Sequence, residues 1–127
     1  MRFSRSKSQG TKTEQIADRA RLQLTVLEAD VRTLAPAYLI SASLKNLRAY
    51  GKDLLKLAGR GELAELGDAL TLSEQLAVLH NLLTDDQGKA YGGKRLADLY
   101  ADTALAFINA YDTVARLGGA TVTKVSY

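Results

Sequence analysis

Apolar residues recur at every third or fourth position through most of this chain. The pattern breaks at only a few places: Pro36, Gly59 with Gly61, a polar stretch over 84–93, and Gly118-Gly119. One apolar stripe per helical turn makes helices that each bury one face, and short breaks between such helices favour antiparallel neighbours. The expected fold is therefore all-α, a small antiparallel four-helix bundle. Composition agrees, since Leu and Ala make up about a third of the 127 residues, with one Pro and no Trp. Both residues favour helix, and Ala lets backbones approach closely.

The first helix is expected from Thr11 or Thr13 to about Leu34, with Ile16, Ala20, Leu24, Leu27, Val31 and Leu34 on its inner face. Pro36 limits it, because proline lacks an amide hydrogen and biases Ala35 away from helical geometry. Proline is also acceptable as a first helical residue, so a second helix is expected over 36–58, stopped by Gly59 and Gly61. It turns Leu39, Ile40, Leu44, Leu47, Tyr50, Leu54 and Leu57 inward, with Gly51 as its weak point. A short helical piece over 62–66 then leads through Gly67-Asp68 to a separate helix start at Thr71, where Thr71 and Glu74 have capping-box spacing. Leu72, Leu76, Leu79 and Leu83 form the seam of that helix. The last helix is expected from Lys94 to Leu117, burying Leu96, Leu99, Tyr100, Phe107, Ala110, Tyr111, Val114 and Leu117. Asp98, Asp102, Asn109 and Asp112 fall on its far side. The ending ATVTKVSY alternates β-branched residues and reads as a short β-like tail. The chain thus divides into an extended basic N-terminal arm over 1–12, a helical domain over 13–117 and a C-terminal tail over 118–127.

Charge is unevenly placed. Four of the 17 Lys/Arg (Arg2, Arg5, Lys7 and Lys12) precede the first acid, Glu14, leaving 13 against all 14 Asp/Glu in the rest of the chain. The sequence pI of about 9.2 therefore reflects a cationic arm on a nearly neutral body, a distribution that suits docking on something acidic. A second cationic feature is Lys45, Arg48, Lys52 and Lys56, which fall within roughly 80° of one another at 100° per residue. Such a ridge can follow a phosphate backbone or face an acidic helix.

Other motifs point less far. Residues 88–95 (GKAYGGKR) match the phosphate-loop spacing up to the Lys. Arg95 then stands where a Ser or Thr must hold magnesium, and neither a preceding strand nor a parallel sheet can be built from this sequence. What survives is an anion-binding loop of Gly92, Gly93, Lys94 and Arg95, with glycine amides free ahead of a helix start. The chain has no Cys and one His, so thiolate metal sites are excluded, and any triad needs His80, which has no carboxylate at useful spacing. The tyrosines read as packing residues. No catalytic residue, metal site or cofactor is expected.

No stretch approaches the roughly 20 apolar residues of a membrane span, and no apolar segment follows the basic start as a secretory signal requires. The expected setting is the cytoplasm or the interior of a virion or other large assembly. The function expected is that of a non-enzymatic structural or adaptor subunit of a multi-subunit assembly. Its partners are further copies of itself or other subunits, reached through the terminal tails. The alternative is a nucleic-acid-binding accessory protein that uses the arm and the ridge of Lys45, Arg48, Lys52 and Lys56.

Overall fold

The structure, a computed structural model, describes residues 11–61, 63–84, 86–120 and 122, with the backbone alone over 86–93. Among these residues there are four α-helices and no strand: α1 (Lys12–Thr33), α2 (Ala37–Leu57), α3 (Ala64–Thr84) and α4 (Asp86–Leu117). The all-α expectation holds. The arm over 1–10 and most of the β-like ending lie outside the described residues. Val122, the one residue described there beyond Ala120, is not in a strand but buried in the core.

Cross-helix contacts give the direction of packing. Gln23 of α1 donates to Ser43 Oγ of α2 at 2.8 Å and accepts from Asn46 Nδ2 at 3.1 Å. The early α3 residues Leu66 and Ala69 share a crevice with the late α4 residues Phe107 and Tyr111, while His80 of α3 meets Tyr100 of α4. Both hairpins are therefore antiparallel. The closest packing joins α1 to α2 and α3 to α4, and α2 carries most of the remaining contact between the two hairpins.

Local chemistry explains most boundaries. Thr11 is the N-cap of α1: its hydroxyl accepts from the Glu14 amide, and the Glu14 carboxylate accepts from the Thr11 amide, both at 3.1 Å. This capping box satisfies two of the donors that a helix start leaves free. At the other end Leu34 adopts a left-handed φ of 52° and Ala35 donates to the Asp30 carbonyl, so the helix turns off sharply before Pro36. Pro36 is the N-cap of α2 rather than its first residue. The end of α4 is a Schellman turn, in which Gly119 (φ 86°) donates to the Arg116 carbonyl and Ala120 to that of Ala115. Glycine suits that left-handed position because it lacks a Cβ. Gly118, one residue earlier, lies against α2, where an added Cβ would sit 2.9 Å from Leu54 Cβ and 3.1 Å from its carbonyl.

Two expectations need correction. Residues 62–66 do not form a separate piece: α3 runs unbroken from Ala64 through Gly67 and Thr71. The Thr71 hydroxyl donates to the Gly67 carbonyl one turn back, so Thr71 and Glu74 do not form a helix start. Residues 86–93 belong to α4, because the backbone is helical from Asp86 onward. Gly51, the expected weak point, lies within an unbroken α2 and is buried, and a Cβ added there would meet Leu66 at 3.4 Å and Tyr111 at 3.5 Å.

The main core draws on every helix and on the chain beyond α4. It joins Ile16, Ala20 and Leu27 to Ile40, Leu47 and Leu54, and then to Leu66, Phe107, Tyr111 and Val114, with Val122 closing it. Tyr111 fixes the hairpins to each other, donating its hydroxyl to the Leu47 carbonyl at 2.6 Å. Asp112, placed by its spacing on the far side of α4, has a largely buried side chain instead. Its Oδ1 accepts from the Val122 amide at 3.3 Å and its Oδ2 from Arg116 Nε at 2.7 Å.

Candidate interaction surfaces

α2 places the four expected cations where the spacing put them. Lys45, Arg48, Lys52 and Lys56 are all exposed on one face of the helix, and Asp53 is the only acid in α2. Arg48 reaches the α3 side, lining a small crevice with Leu66, Ala69, Leu70 and Ser73. Three arginines of the other helices pair with acids of their own helix: Arg21 with Asp18 at 2.6 Å, Arg32 with Glu28 at 3.7 Å, and Arg116 with Asp112. Lys12 is exposed at the start of α1. Arg2, Arg5 and Lys7 lie outside the described residues.

One aromatic residue departs from the packing role expected of it. Tyr38 is 72% exposed, while Tyr100 and Tyr111 are buried and Tyr50 is half-buried. Tyr38 precedes Lys45 by seven residues, close to two helical turns, so it shares the face of the cations. The sequence carried a usable signal, since Tyr38 is out of phase with Ile40, Leu44 and Leu47.

The anion-loop premise fails on backbone geometry. Gly92 and Gly93 lie inside α4 rather than ahead of a helix start, so their amides belong to the helical ladder. Lys94 and Arg95 are exposed on the same helix.

α3 carries an unexpected surface. Between Glu74 and Thr84 it has no Asp, Glu, Lys or Arg, and it is apolar on nearly every side. Its inner residues Leu66, Ala69, Leu76 and Leu83 are buried. Its outer line of Thr71, Gln75, Val78 and Leu82 is exposed, with Val78 at 58%. Beside that line lies a shallow groove of about 510 Å³, walled by Val78 and Leu79 and, from α4, by Leu99 and Thr103. Leu99, expected in the core, is 53% exposed there. A second apolar groove, of about 220 Å³, lies between α1 and α4, with Leu27, Val31, Ala104 and Leu105 in its walls and the Glu28–Arg32 pair at its rim.

His80 is fully buried. Its Nδ1 lies 2.6 Å from the Tyr100 hydroxyl, and its Nε2 is buried with no hydrogen-bond partner. The rings are tilted at 50° with centroids 5.6 Å apart. Burial, with a smaller effect from the nearby Asp30 carboxylate, pushes the Tyr100 phenol up to about 12. Burial pushes Tyr111 up further, helped by Tyr50 and Asp53. Both phenols stay protonated across the neutral range and serve as hydrogen-bonding packing residues.

No helix among the described residues is long and apolar enough to cross a membrane. No protein-family model matches the chain, and no curated protein and no solved structure matches it.

Proposed function

We propose that this protein is a non-enzymatic structural subunit that assembles with copies of itself through the outer face of α3 and the adjoining groove of α4. The observation that carries this reading is the mismatch between the composition of α3 and its coverage. Between Glu74 and Thr84 α3 has no charged residue, a composition ordinarily found where a helix is buried on more than one side, yet Val78 and Leu82 are left in water there beside Leu99. Full burial of such an aliphatic side chain contributes about 1.5–3 kcal/mol, and Val78, Leu82 and Leu99, at 58%, 43% and 53% exposure, have roughly half of that still to gain. In this reading the patch of Val78, Leu82 and Leu99 on one copy packs against the same patch on another, since self-complementary patches are the usual basis of symmetric oligomers.

Light scattering coupled to size-exclusion chromatography tests the reading. The full-length protein is expected to elute as an oligomer, and the triple variant Val78→Gln/Leu82→Gln/Leu99→Gln as a monomer with an unchanged helical circular dichroism spectrum. A wild-type protein that stays monomeric as its concentration is raised would falsify it.

A further inference from the structure

We infer that the exposed face of α2 is a docking ridge for the phosphate backbone of a nucleic acid. Tyr38 lies at one end of the ridge, and the basic arm is attached at the level of the other. Four observations carry this. First, Lys45, Arg48, Lys52 and Lys56 are exposed together on a helix whose only acid is Asp53. Second, α1 and α4 each carry as many acids as bases and α3 carries acids alone, so among the four helices net positive charge is confined to α2.

Third, the register of α1 against α2 brings the arm to the same end of the molecule. Gln23 pairs with Ser43 and Asn46, so in an antiparallel hairpin Lys12, eleven residues before Gln23, lies level with the last turn of α2, which contains Lys56. The chain carrying Arg2, Arg5 and Lys7 therefore joins the bundle where the ridge ends. Lys45 to Lys56 spans about 17 Å at 1.5 Å per residue, comparable to five phosphates at the 3.4 Å axial rise of one strand.

Fourth, Tyr38 presents a bare aromatic ring on the cationic face. A lysine row alone suits an acidic protein equally well. An exposed ring in line with it is what a nucleic-acid base stacks on, and such stacking tolerates any sequence. The ridge is on α2 and the uncovered apolar face on α3 and α4, so this inference does not depend on self-assembly.

Fluorescence anisotropy with a labelled 20-nucleotide single strand, and with a duplex of the same sequence, tests it over a series of salt concentrations. The full-length protein is expected to bind both with little sequence preference. Lys45→Gln/Arg48→Gln/Lys52→Gln should weaken binding at least tenfold at low salt. It should also reduce the slope of log affinity against log salt by about 2 on the single strand, since each lost phosphate contact accounts for about 0.7. Lys45→Arg/Lys52→Arg should bind as the wild type does, which separates lost charge from lost folding. Tyr38→Ala should weaken the single strand more than the duplex. An unchanged salt slope in the triple Gln variant overturns the inference, as does loss of all binding when only Arg2, Arg5 and Lys7 are replaced by Gln. Tighter binding of poly-glutamate than of either nucleic acid overturns it in favour of an acidic protein partner.

Discussion

His80 and Tyr100 show what a buried polar pair demands of its neighbours. Two rings share one hydrogen bond, and His80 Nε2 has no partner inside an apolar cluster that includes Leu76, Leu83 and Ala104. Removing one member leaves the polar group of the other buried without this hydrogen bond, which costs about 1–3 kcal/mol, whereas replacing both with apolar groups can be nearly neutral. Tyr100→Phe is therefore expected to lower the urea midpoint clearly, and His80→Leu/Tyr100→Phe to recover most of the loss. Additive losses in the double variant would mean that the two rings contribute independently. The histidine itself was visible in the sequence, but its partner was not, because twenty residues separate it from Tyr100 and only the α3–α4 register brings them together.

At the scale of helices, two identical signals had opposite outcomes. Thr11 with Glu14 and Thr71 with Glu74 both have capping-box spacing, and only the first is a cap. The difference lies in what precedes each. Before Thr11 the chain is polar and ends in glycine, whereas before Thr71 the apolar period of Leu63, Leu66, Ala69 and Leu70 is already running, so packing against the core carries the helix through. Thr11→Ala should accordingly cost about 1 kcal/mol, and Thr71→Ala should stay within about 0.5 kcal/mol of wild type, as surface changes away from such features do. Thermal melts of the two variants check this. Residues 86–93 also depart from expectation: glycine and charge suggested a loop, and the backbone is helical from Asp86. Periodicity located most of the inner residues of α1, α2 and α4, while Leu34, Leu39, Leu57 and Leu99, all expected inside, are exposed. It could not show that α3 has more apolar surface than its neighbours cover, because coverage depends on how the hairpins are placed.

For the molecule as a whole, alkaline pH acts through its buried phenols. Tyr100 titrates at about 12 when folded against an ordinary value of 10, so above pH 10 the unfolded chain releases a proton that the folded protein retains. That contribution is complete below pH 10 and is lost as the pH rises toward 12, and Tyr111 shifts in the same direction. Melting temperature is expected to fall through this window, less steeply in Tyr100→Phe, and a pH-independent melt would contradict the burial of both rings. The bundle class was legible in the sequence because each helix announces its own buried stripe. The candidate surfaces were half legible: the four cations of α2 follow from spacing alone, while Tyr38 and the outer line of α3 needed the packed structure.

Val122 also carries a consequence for the newly made chain. The core that begins at Ile16 is closed by a residue that lies beyond the last helix and is held by Asp112. During synthesis the α1–α2 hairpin emerges well before this residue exists. At about 5–20 residues per second, roughly 3–13 s separate Leu57 from Val122. Throughout that interval Ile40, Leu47 and Leu54 lack their later neighbours, so the first hairpin emerges with a sticky face and depends on the rest of the chain arriving promptly.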